Sequence, residues 1–85
     1  MDKIWAKIVV NHRVKQSIIH TAPDRIDILN FWDNVKQICE ELKIPTPVIL
    51  TCHAENFLEL NTLKLKPTDF IEDVPFDWLL LENGE

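Results

Sequence analysis

The sequence predicts a small α+β domain of order β-β-α-β-(α)-β-β, with a mixed or antiparallel sheet covered on one face by a long amphipathic helix. Three observations carry that expectation. Two β-branched runs flank a turn at the start, a helical apolar stripe follows over residues 24–43, and short strand-like runs fill the second half. At 85 residues, the chain is expected to form one domain spanning 1–85. Its 46% hydrophobic content and single glycine set it apart from disordered sequences.

Residues 4–10 (IWAKIVV) and 14–21 (VKQSIIHT) read as paired strands joined around Asn11-His12-Arg13. Parity chooses the register. If opposed position numbers sum to an even number, Ile4, Ala6 and Ile8 share a face with Val14, Gln16 and Ile18; a slip of one would scatter that apolar set. An even register requires an odd-length loop or a bulge near Asn11-His12.

Residues 24–43 form the strongest element. Thr21 and Asp24 stand at capping-box spacing, Pro23 suits a first turn, and Ile28, Phe31, Trp32, Val35, Ile38, Cys39 and Leu42 recur at helical intervals. Trp32 therefore reads as core. Pro45 and Pro47 end the helix, because a residue preceding proline avoids helical backbone. Beyond them, VILTC (48–52) reads as a buried strand, HAENFLELN (53–61) as a helix of about two turns, and TLKLK (62–66) as an edge strand with outward lysines. Residues 67–75 form an acidic turn, and FDWLLL (76–81) is a last strand apolar on both faces. One helix covers only one face of a sheet, so Trp5, Val9, Leu79 and Leu81 are expected to need cover from the short helix, a second copy or a partner.

The net charge of −5 is uneven. Residues 1–66 hold nine Lys and Arg against eight Asp and Glu, whereas 67–85 hold Asp69, Glu72, Asp73, Asp77, Glu82 and Glu85 with no base. No basic stripe is evident for a phosphate backbone, which argues against direct nucleic-acid binding. No apolar run approaches the ~20 residues that span a bilayer, so no membrane association is expected. The charged start and two cysteines point to a cytoplasmic protein with free thiols.

Cys52, His53 and Glu55 are the candidate reactive or ligating residues, with His20 as a further imidazole. A zinc site favours paired ligand spacing, and Cys39 and Cys52 lack it. A thiol at a helix N-terminus is acidified by the dipole, but an adjacent histidine on the same backbone is poorly aimed as its base. The simpler reading makes residues 51–55 a strand-to-helix junction, with Thr51 or Cys52 as cap and Glu55 in the first turn. The acids at 69–77 lack the alternation and glycine of a calcium loop. No catalytic residue, metal or cofactor is therefore assigned.

IPTPVILTCHAENF, the PTDFIEDVPFD ending and the leading KIWAKIVV resemble short bacterial proteins of clostridial type; the matching positions are Trp5, Pro45, Pro47, Val48, His53, Phe57, Pro67, Asp69, Phe70 and Asp77. That resemblance implies a small cytoplasmic domain and carries over no activity and no catalytic residue. The expected function is non-enzymatic protein–protein interaction, including self-association as a homodimer. Trp5, Trp78, Leu79 and Leu81 form the expected contact surface, with Asp69, Glu72 and Asp73 as an acidic rim. The first alternative is an acidic inhibitor of a nucleic-acid-binding protein acting through the C-terminal acids. The second is a cysteine- or metal-dependent enzyme at Cys52-His53.

Overall fold

A computed structural model describes residues 2–84. The chain forms strands β1 (Lys3–Val10) and β2 (Arg13–Thr21), helices α1 (Phe31–Leu42) and α2 (Thr51–Leu60), strand β3 (Thr62–Leu65), a 3-10 turn (Pro67–Asp69) and strand β4 (Trp78–Asn83). The sheet is antiparallel throughout, in the order β2-β1-β4-β3. The domain is thus α+β, with four strands in place of the five expected.

The β1–β2 hairpin shows how sequence sets register. Ile4 opposes His20, Ala6 opposes Ile18 and Ile8 opposes Gln16, which is the even register. Asn11 and His12 form a two-residue turn with φ of 52° and 64°, the left-handed pair that suits the twist of a hairpin. A two-residue loop alone would demand odd sums. The pairing changes between Ile8 and Val9, where Lys15 is left without an opposite number, and this bulge reconciles the turn with the apolar face.

Helix α1 is shorter than the predicted 24–43. Its N-terminal third is displaced by local side-chain bonds. The Asp27 N–H donates to Asn30 Oδ1 at 2.9 Å and the Asn30 N–H donates to Asp27 Oδ1 at 2.9 Å, while the Ile26 N–H donates to Asp2 Oδ2 at 2.8 Å. Short polar side chains here offer the backbone donors an alternative to helix. Asn30, not Thr21, precedes the helix, and Ile28 and Leu29 stay exposed. Trp32 is also exposed, with Lys36 Nζ 5.3 Å from its ring centre, so the tryptophan expected in the core lies on the surface. Phe31, Val35, Ile38, Cys39 and Leu42 form the inner stripe as expected, and Asn34 joins them.

The predicted strand 48–52 does not form. The chain here makes an isolated bridge between Pro47 and Phe70 and one bond from the Val48 N–H to the Asp69 carbonyl, and helix α2 then takes over at Thr51, which leaves no length for a ladder. Val48 and Leu50 remain exposed, so the apolar run is an extended connector and not a buried strand. Helix α2 starts at Thr51, two residues earlier than expected.

Ile4, Ala6 and Ile8 of β1, Leu79 and Leu81 of β4, and Leu63 and Leu65 of β3 line the covered face of the sheet. Both helices pack there, with Phe31 of α1 and Phe57 of α2 in ring contact at 5.2 Å. All of these side chains belong to one core, and full burial of each Ile, Leu or Phe among them is worth roughly 1.5–3 kcal/mol. Two layers result, and the second face of the sheet carries no helix.

Candidate functional site: the open sheet face

Side chains opposed across an antiparallel ladder share a face, so the register fixes what the helix-free side presents. Along one row stand Ile19, Trp5, Glu82 and Thr62; along the next, Ser17, Lys7, Leu80 and Lys64; along a third, Val14, Val9 and Trp78. Trp5 is 42%, Val14 54% and Ile19 62% exposed. Trp78 and Leu80 are half-buried, and Val9 lies covered between its neighbours.

Cations lie across the two indoles. Lys7 Nζ sits 3.8 Å from the Trp5 ring centre and 2.6 Å from Glu82 Oε1, bridging β1 and β4. Lys64 Nζ lies 4.1 Å from the Trp78 ring centre, and the His12 ring meets the same indole at 6.0 Å with planes at 65°. A cation over an indole gains from the ring quadrupole, and its methylene stem covers apolar surface. The outcome is a broad aromatic and aliphatic patch in which the most central charge, Lys7, is neutralised within the sheet.

Two of the four expected contact residues stand here. Trp5 and Trp78 lie on the open face. Leu79 and Leu81 do not: both are 0% exposed, because β4 sets them opposite Ile8 and Ala6 on the covered face. Leu80 takes their place, joined by Ile19 and by Val14; the even register sets Val14 with Ile4, Ala6 and Ile8, but the bulge shifts it opposite Val9 and onto the open face. Strand parity could have found Ile19, since it shares the odd numbering of Trp5 within an even register.

The acidic rim is also redrawn. Asp69 Oδ2 accepts the Lys66 N–H at 2.8 Å, and its carbonyl accepts the Val48 N–H at 2.8 Å, so this residue ties the 3-10 turn to the connector before α2. Glu72 and Asp73 are exposed, and none of the three stands on a strand. Glu85 lies outside the described residues. On the open face itself the charged strand residues include Lys3, Lys7, Lys64 and Glu82.

The Cys52-His53 pair is a helix junction. The Leu50 N–H donates to His53 Nδ1 at 3.0 Å, and the His53 N–H donates back to the Leu50 carbonyl at 3.0 Å. His53 thus ties down the helix start in place of the expected Thr51 or Cys52 cap. Its Nε2 faces Asp69 Oδ1 at 3.9 Å, leaving neither ring nitrogen directed to Cys52. Cys52 and Glu55 are exposed.

His20 is elsewhere: it is buried on β2, and its Nε2 donates to Asn34 Oδ1 of α1 at 2.8 Å. Asn34 Nδ2 in turn donates to the Asn30 carbonyl at 2.9 Å. This chain of bonds satisfies two buried polar side chains and pins β2 to α1. Cys39 lies in the core, where burial, aided by the charge of Glu40, pushes its thiol up to about 12. Among the described residues, no three His, Cys, Asp or Glu side chains gather as a ligand set for a metal ion. None of the described helices is long and apolar enough to cross a membrane.

No family model, curated protein or solved structure matches the chain.

Proposed function

We propose that the chain is a small non-enzymatic protein–protein interaction domain whose docking surface is the open sheet face, closing on a second copy of itself. The observation that carries this reading is the unlayered face, where Trp5, Ile19, Val14, Leu80 and Trp78 stand together while the core is already complete without them. Contiguous apolar surface of this kind on a water-exposed domain marks an interface.

A second copy fits the shape. Four strands set ~4.8 Å apart, the longest two eight or nine residues long, give a face of roughly 500 Å² in projection. A standard interface buries ~800 Å² of accessible surface per partner, so such a dimer would draw on the whole face. Sheet-on-sheet packing also calls for two flat apolar faces about 10 Å apart, and the Lys7–Glu82 pair lets this one approach without an unpaired central charge.

Sedimentation over a concentration series tests the reading. The expected mass rises to twice the 10.0 kDa of one chain, and Trp5→Lys combined with Ile19→Lys weakens association at least about thirtyfold, as loss of a central aromatic anchor does. A wild-type chain that stays monomeric to about 1 mM, a Kd limit well above that of specific dimers, overturns it.

A further inference from the structure

At the far end of the covered face, two irregular points of the backbone meet around one cavity. The first is the bulge that leaves Lys15 unopposed in β2. The second is the C-cap of α1, where Lys43 adopts left-handed backbone at φ 58°. Both lysines line a cavity of about 240 Å³, and Gln16 stands beside them. Its apolar walls are Ile8, Val10, Leu42, Ile44, Pro75 and Phe76.

Three features give this cavity a chemical character. Its inner walls are apolar and belong to the core, with Ile8, Leu42 and Phe76 each no more than 5% exposed. No Asp or Glu lines it. Among the described residues, neither Lys15 nor Lys43 forms an ion pair with a carboxylate. A bulge re-aims a side chain out of the alternation of its strand, and a left-handed non-glycine cap holds one in a conformation that most residues avoid. Here the two lysines stand at the rim of the same cavity.

We propose that this cavity is a binding site for a small amphipathic carboxylate. The anionic head meets Lys15 and Lys43, and a short hydrocarbon body lies against Val10, Ile44 and Phe76. The site is independent of the docking face, because its walls come from the opposite side of the sheet. Size sets the ligand class. With ~30 Å³ as the share of one water in the liquid, the cavity holds about eight non-hydrogen atoms, short of the ~300 Å³ at which drug-sized pockets begin. A six-carbon monocarboxylate has that size. Ammonium–carboxylate contact supplies orientation and an apolar wall supplies most of the affinity.

Titration of the ¹⁵N-labelled protein with hexanoate, followed by amide shifts, is the test, with hexan-1-ol and acetate as separate arms. Expected are saturable shifts centred on Ile8, Lys15, Lys43 and Ile44 with a Kd near 1 mM, on the order of what so few atoms can give. Hexanol lacks the charge and acetate lacks the body, so each binds at least about tenfold more weakly. Lys15→Gln with Lys43→Gln lowers hexanoate affinity about tenfold and leaves the weak binding of hexanol unchanged, with the remaining amide spectrum reporting an intact fold. Equal binding of hexanol and hexanoate overturns the proposal. So do an unchanged affinity in the double variant, an absence of saturation, and shifts centred on Trp5 and Trp78.

Discussion

Lys43 and Cys39 show how far single residues can be held from their ordinary preferences. Lys43 closes α1 with its N–H on the Glu40 carbonyl, while the Ile44 N–H reaches the Cys39 carbonyl, and this pattern calls for left-handed backbone that glycine adopts without strain. Lys43→Gly should therefore raise stability by about 0.5–1 kcal/mol, read as a higher denaturant midpoint at constant slope. A lower midpoint would show that the lysine side chain contributes more than its backbone costs. Cys39 gives a pH signature. Its thiol has an ordinary value of 9.0 and about 12 in the fold, chiefly through burial, so above pH 9 the unfolded chain releases a proton that the folded one keeps. The Cys39 contribution to stability is complete below pH 9 and is lost as pH rises toward 12. In Cys39→Ala the alkaline fall in unfolding free energy should be shallower. Under native conditions at neutral pH a thiol-specific reagent should modify Cys52 at once and Cys39 only on unfolding. Equal rates at the two cysteines would contradict the burial.

What sequence reading missed at this scale were polar groups in apolar company. Asn34 stands three residues after Phe31 and so falls on the inner stripe, but a pattern built from apolar positions passes over it. His20 was weighed as a ligand because imidazoles bind metals, whereas its buried place opposite Ile4 gives it Asn34 as a partner.

Among the elements, the hairpin was the most legible and the segments before the two helices the least. Parity alone fixed the β1–β2 register and required an irregularity, since a one-residue slip reverses every side chain. The start of α1 was obscured because Asp27 and Asn30, read as helix residues, bond to each other's backbone. The connector 48–50 was misread because an apolar β-branched run looks the same whether it enters a sheet or only crosses toward a helix. His53 stands at the expected junction, but its ring, and not Thr51 or Cys52, takes the cap role. His53→Ala should cost about 1 kcal/mol and speed exchange of the Leu50 amide, while His53→Asp, which keeps an acceptor near that N–H, should recover part of the loss. No change in Leu50 exchange would rule out the ring as its acceptor. The strut between β2 and α1 is buried. Asn34→Ala leaves the buried His20 Nε2 unpaired, and a loss of about 1–3 kcal/mol is expected on chemical denaturation. A double replacement of His20 and Asn34 by leucine should be milder than the two single losses added, because both polar groups leave together. Strict additivity would refute the coupling.

For the whole molecule, topology decides what is on offer to a partner. Placing both helices on one face gives a complete core and leaves the other face of β1 and β4 to Trp5, Trp78 and Leu80. An uncovered apolar surface is expected from the sequence, and strand alternation already separates Trp78 from Leu79 and Leu81; which of the two sets is covered depends on the long-range pairing of β4 with β1. Charge was likewise legible only in part. The acids of 67–77 suggested a docking rim, yet Asp69 is spent on a turn and the open face meets solvent through lysines held over indoles. The central claim is that this face closes on an identical one. Its most direct test is a mixed sample of labelled and unlabelled chains, examined by NMR for magnetisation transfer between copies. Transfer between the Trp5 or Trp78 indole protons of one copy and the Val14, Ile19 or Leu80 methyl groups of the other is the result expected. Transfer confined to the helical side, or none in a sample of monomeric mass, would contradict it.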